Sequence, residues 1–152
     1  MFLDSFLRGG SKKLPWMRVM EIEGKQSPKY AVAMDDYFAR VMSECVSRLV
    51  WPSRPGSVLR WDRLDFRTVD GGEIKLKYSM DFVEGGHDVV YSFVPPRTVW
   101  IDHHLSNSQK RFVMAHELVE RFLMESYRMP YSVAHPISNK YEKAFRMEVL
   151  KI

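Results

Sequence analysis

His116, Glu117 and Glu120 stand together in the stretch His116-Glu117-Leu118-Val119-Glu120. On a helix, residues i and i+4 project from one face a turn apart, so His116 and Glu120 can offer a nitrogen and an oxygen to one point. Zinc takes N, O and S donors in a roughly tetrahedral array, and a catalytic site keeps one position for water. The spacing is that of an HExxH zinc helix with glutamate in place of the second histidine. Glu117, beside the two donors and not itself a ligand, is placed to accept a proton from the attacking water and pass it to a leaving group.

A third protein ligand has to come from further along the chain. His135 is the first candidate, 19 residues beyond His116 and across Met129-Pro130, where an antiparallel helix returns toward the site. Glu142 is the competitor. It follows His135 by seven residues, nearly two turns, so both can face the same way. One can then be a ligand and the other its hydrogen-bonding partner. His103 and His104 precede the helix; they read as capping or solvent-facing residues, with lining of the site entrance as the alternative. Without metal, His116 would be a buried histidine bonded to Glu120 or Glu142, because ionisable groups in an apolar segment need partners.

The positioning elements can be read around this site. Phe112, Ala115, Val119, Phe122 and Leu123 recur at helical spacing and predict a helix over 110–127, with Ser106 as its N-cap. A second helix is expected over 131–152, with Tyr141, Phe145, Val149 and Leu150 on its apolar side; Pro136, which cannot donate to a preceding turn, marks where it could divide. Upstream, residues 34–50 carry a broad apolar stripe that includes Phe38, Val41 and Cys45, a scaffold helix ended by Trp51-Pro52. Between the helices the texture is that of strands. A strand is expected over 58–66, and Asp70-Gly71-Gly72 predicts a hairpin turn into 73–83. There Ile74, Leu76, Tyr78, Met80 and Phe82 alternate with polar residues. Gly85-Gly86 reads as a turn into a strand over 89–94, and Thr98–Asp102 as the last strand. The sum is an α+β domain: N-terminal helix, antiparallel β-meander, active-site helix and C-terminal helix.

The 152 residues suit one domain spanning 1–152, with 1–30 an irregular N-terminal extension. Phe2, Leu3, Phe6 and Leu7 mark one side of a short terminal helix, and 17–22 reads as a strand or an irregular crossing. A single cysteine excludes an internal disulfide framework and fits a reducing compartment. The acid Asp4 and the lack of a long apolar core make the N-terminus a poor secretory signal, so a cytoplasmic location with no membrane span is expected. Net charge is +4; residues 1–67 carry 12 Lys+Arg against 8 Asp+Glu, and 68–152 carry 11 of each. That surplus could draw nucleic acid, but a mildly basic solvated surface is favoured, because no nucleic-acid-binding motif accompanies it.

One stretch resembles a known family. Val99-Trp100-Ile101-Asp102-His103-His104-Leu105-Ser106, followed by Lys110-Arg111-Phe112-Val113-Met114-Ala115-His116-Glu117-Leu118, looks like the ImmA/IrrE group of prokaryotic and phage zincin-like metallopeptidases. In that group a strand, a short loop with Leu-Ser and an RF-x-x-AHEL helix come in the same order. Glu142-x-Ala144 is similar more weakly. The resemblance implies a compact zincin fold, bound zinc and peptidase activity, in some members against transcriptional repressors. His116 matches the first ligand and Glu117 the catalytic glutamate. Glu120 falls where the family has its second histidine, and Val119 where it has glycine. The family's third ligand is an acid in the later helix, near Glu142.

The expected function is therefore a zinc-dependent hydrolase, an endopeptidase acting on a protein or peptide. Its metal ligands are His116, Glu120 and either His135 or Glu142, with Glu117 as acid and base. Thr98–Asp102 or the 89–94 strand is expected to present a free edge to an extended substrate. The alternatives are a non-catalytic zincin-like module that binds a protein partner, and a basic accessory protein associated with nucleic acid.

Overall fold

The computed structural model describes residues 36–41, 56 and 58–150. The expectations for the N-terminal segment, for Cys45 and for most of the 34–50 helix lie outside the described residues. Residues 36–41 are helical and place Tyr37, Phe38 and Val41 in the core.

Strands β1 (Val58–Trp61) and β2 (Leu64–Val69) form a tight hairpin. Its two turn residues, Asp62 and Arg63, both have positive φ (50° and 65°), as a two-residue turn that follows strand twist requires. The strand expected over 58–66 is thus two strands. Strands β3 (Gly85–His87) and β4 (Thr98–Asp102) complete a four-stranded sheet in the order β1-β2-β4-β3. β2 and β4 run parallel, Asp65 opposite Thr98 and Val69 opposite Asp102, whereas β3 is antiparallel to β4. The sheet is therefore mixed, which corrects the antiparallel meander. A parallel pair cannot be joined by a hairpin, and the connection from β2 to β4 carries a helix and β3.

That helix, α1 (Gly71–Lys77), replaces the strand expected over 73–83. Asp70 is its N-cap, accepting from the Glu73 N–H at 3.2 Å, and the acid at Glu73 completes a capping signature. The Gly71 N–H donates to Asp102 Oδ1 at 3.1 Å, and a Cβ there would lie 2.8 Å from Asp102 Cγ. Asp70-Gly71-Gly72 thus starts a helix against the end of β4 and turns no hairpin. The apolar alternation has no shared face: Ile74 and Phe82 are buried, but Leu76 is 86% and Met80 72% exposed.

Two long helices cover one face of the sheet, the first against the strands and the second against the first. α2 (Asn107–Ser126) begins at Ser106, whose Oγ accepts from the Gln109 N–H at 3.1 Å, as its sequence predicts. α3 (Tyr131–Leu150) returns antiparallel and is continuous through Pro136. The missing proline donor leaves only the carbonyl of exposed Ser132 without its helical partner, where water can serve it. Phe66, Val99 and Ile101 from the sheet meet Leu118, Leu123, Tyr141 and Phe145 from the helices. On the opposite sheet face Trp100 packs with Tyr78, Phe82 and Phe93 from the connection, ring centres 5.9–6.5 Å away. None of the described helices is long and apolar enough to cross a membrane.

Candidate metal centre

Sandwiched between the sheet and α3, α2 is buried continuously from Phe112 to Arg121. That run carries His116, Glu117, Glu120 and Arg121 out of water, so each needs compensation. Arg121 binds Asp88 through Nε at 2.7 Å and Nη2 at 3.2 Å, while Asp88 also accepts the Arg97 N–H at 2.8 Å. These contacts fasten the end of β3 to α2. Burial raises the Asp88 pKa, but the bonds from Arg121 and Arg97 outweigh it and hold the carboxyl below its usual range.

The other three α2 groups line a cleft of about 370 Å³, together with His135 and Glu142 of α3 and Gly85 of β3. The Glu120 carboxylate is its hub. Oε2 lies 2.7 Å from His135 Nδ1 and 3.2 Å from His116 Nε2. Oε1 lies 2.9 Å from His87 Nε2. Burial works against the charged carboxylate, but three imidazoles outweigh it and hold Glu120 well below the ordinary carboxylate range. His116 is met from both sides: its Nδ1 lies 3.1 Å from Glu142 Oε1, an ion-pair approach off the ring N–H axis. Burial disfavours its charge, yet Glu120 and Glu142 raise its pKa to about 10.

Glu142 is held in turn by Arg146, with contacts of 2.9 and 2.7 Å. Burial raises its pKa, and His116 and Arg146 more than reverse the effect. Glu117 is the contrasting acid. Burial pushes its pKa up to about 7, and His87 and His116 offset this only in part. Its Oε2 is buried, makes no hydrogen bond among the described residues, and lies 3.9 Å from His87 Nε2.

All five sequence-predicted residues line this cleft, with His135 and Glu142 in different positions. Donor atoms of His116, Glu120 and His135 lie within 4.8 Å of one another. Glu142 faces the far nitrogen of His116 and Arg146. Tyr131 stacks on the His135 ring at 4.9 Å and 24°, fixing its plane. His103 and His104 lie apart from the cleft; His104 Nδ1 contacts Asp102 at 2.9 Å, and the two rings lie 3.9 Å apart.

His87 also meets Glu120, and no motif in the sequence marks it. The Gly85-Gly86 pair before it reads as a turn but forms edge strand β3. A Cβ on Gly85 would lie 2.8 Å from Val113 Cγ1 and 2.9 Å from the Trp100 carbonyl, and one on Gly86 2.6 Å from the Tyr91 ring. Glycine here permits close backbone approach to α2, which brings His87 to Glu120. The only local signal was a histidine following paired glycines. The expected substrate edge is also corrected: Thr98–Asp102 is paired on both sides, and 89–94 is a run of turns and bends. β3, beside the cleft, is the edge strand.

No protein-family model matches the sequence, and neither a curated protein nor a solved structure is detectably similar to it.

Proposed function

We propose that this chain is a zincin-like, zinc-dependent hydrolase that cleaves a peptide bond. One observation carries the reading: nitrogens from two helices, His116 Nε2 and His135 Nδ1, converge on the same oxygen of Glu120. Two nitrogens and one carboxylate oxygen suit zinc, and the unbonded, buried Glu117 oxygen nearby is the kind of group that a bound ion and its water would satisfy.

His116, Glu120 and His135 would hold the ion, which supplies a Lewis acid and lowers the pKa of water. Glu142 keeps its place at His116 Nδ1, orienting the ring and raising its basicity. Glu117 carries the proton; burial has moved its affinity toward neutrality, where a carboxyl can both take and return one. β3 offers the peptide a short edge beside the cleft. The resemblance of 99–118 to the ImmA/IrrE metallopeptidases supports the same reading, with cytoplasm as the expected compartment.

A second reading is a non-catalytic module for a protein partner. What favours it is the closure of the Glu120 network, whose two oxygens are already taken by three histidines. Glu117→Gln separates the two. In the hydrolase it should abolish cleavage of a peptide library while leaving zinc content and the thermal transition in place. Cleavage that survives the change would overturn the assignment of Glu117.

A further inference from the structure

Glutamate at position 120 differs from histidine in a way the cleft uses. An imidazole presents one free nitrogen to a site, whereas a carboxylate presents two oxygens. Both oxygens of Glu120 are engaged: Oε2 by His116 and His135, and Oε1 by His87. Beyond Oε1 lies a second donor group, in which His87, Glu117 and Glu120 each place a ligand atom within 4.8 Å of the others. All three are buried, and His87 is wholly so. The Glu117 Oε2 that lacks a hydrogen bond lies 3.9 Å from His87 Nε2, the nitrogen that meets Glu120 Oε1.

The charge of the cleft agrees. Its lining contains the carboxylates of Asp81, Glu84, Glu117, Glu120 and Glu142, and no lysine or arginine. Arg146 offsets Glu142 from outside. Asp81 is exposed and Glu84 accepts from Gln109 at 2.7 Å, which leaves Glu117 and Glu120 as the buried acids beside His87.

We propose that His87, Glu117 and Glu120 Oε1 form a second divalent-cation position, with the Glu120 carboxylate bridging it to the first. This rests on reading His116, Glu120 and His135 as the first position. One nitrogen and two carboxylate oxygens select a borderline or hard transition cation, Zn²⁺ or Mn²⁺, over a thiolate-seeking one. Because the second ion uses Glu117, filling it withdraws that carboxylate from proton transfer. The second position is therefore a brake that responds to metal concentration.

The test uses the full chain stripped with chelator and titrated with Mn²⁺ and with Zn²⁺, counting bound ions by calorimetry and by metal analysis. The expected result is two equivalents in the wild type, one in His87→Ala, and a spin-coupled Mn²⁺ pair by electron paramagnetic resonance in the wild type. The resonance measurement needs no variant, so it decides the matter if His87→Ala does not fold. One equivalent in the wild type with uncoupled Mn²⁺ overturns the second position and leaves the hydrolase reading standing. Two equivalents kept by His87→Ala, or two uncoupled ions, place the second ion elsewhere and also overturn it. No bound metal at all overturns both.

Discussion

Glu142 competes with His135 for the third ligand place when read from sequence, yet its geometry makes it the partner of His116. Glu142→Gln decides between these roles. The substitution preserves shape and one acceptor oxygen while removing the charge that faces His116 Nδ1 at 3.1 Å. Loss of such a supporting partner typically weakens metal binding by about 10–100-fold. On the free-energy scale that is about 1.4–2.8 kcal/mol. The metal-free fold should lose more than the Arg146 pair alone, because Glu142 also faces buried His116; the cost stays below the roughly 3–5 kcal/mol of an unpaired buried charge, since Glu120 still holds His116. The Arg146–Glu142 pair is part-exposed and adjacent turns of one helix supply both members, so its loss costs about 0.2–1 kcal/mol. Competition against a chromophoric zinc chelator reads the affinity, and urea unfolding in excess chelator reads the stability of the metal-free chain. The expected pattern is weakened zinc affinity in Glu142→Gln, a lowered but still cooperative urea transition, and loss of the tight zinc in His135→Ala. If Glu142→Gln loses zinc outright while His135→Ala retains it, the two residues have been assigned the wrong way round.

Other consequences concern the scaffold. Asp88→Ala strips most of the pairing from buried Arg121 and should cost about 3 kcal/mol, toward the low end for breaking a buried pair because Glu125 also contacts Arg121; chemical unfolding at neutral pH measures it. Gly71→Ala forces a methyl to within 2.8 Å of the Asp102 carboxylate and should destabilise the chain by about 1–3 kcal/mol, read as a lower urea midpoint. Asp102 supplies a pH dependence: burial opposes its charge, but the His104 N–H and ring and the Gly71 N–H lower its pKa. A depressed folded pKa adds stability above the unfolded value near 3.8, and that stability is lost as pH falls through the folded pKa. The gap between wild type and Asp102→Asn should therefore be widest above that range and close below it, in urea midpoints taken across acidic pH.

What the sequence disclosed is what local spacing encodes. Ser106 announced the start of α2, helical periodicity carried it to its end, and His116, Glu117 and Glu120 followed from their i, i+1 and i+4 places. His135 and Glu142 were legible because a short turn at Met129-Pro130 forces the next helix to return. The opposite outcome came where tertiary contacts choose between local options. The alternation from Ile74 to Phe82 fits a strand by period, yet Asp70 and Glu73 cap a helix there, and the parallel pairing of β2 with β4 needs a crossover. β3 was unreadable because Gly85 and Gly86 are required by what packs on them, Val113 and Tyr91, and not by a turn. His87 was lost with it, since only the β3–β4 pairing brings it against Glu120.

If two histidines and Glu120 hold a metal ion, the chain's metal content will show it. The full chain purified without added zinc, then dialysed against metal-free buffer, should retain at least one zinc per molecule. His116→Ala, prepared in parallel and shown to be folded, should lose the zinc held by this triad. A folded wild-type chain that carries no stoichiometric zinc and takes up none when it is supplied would rule out this metal centre, as would a His116→Ala chain that binds zinc undiminished.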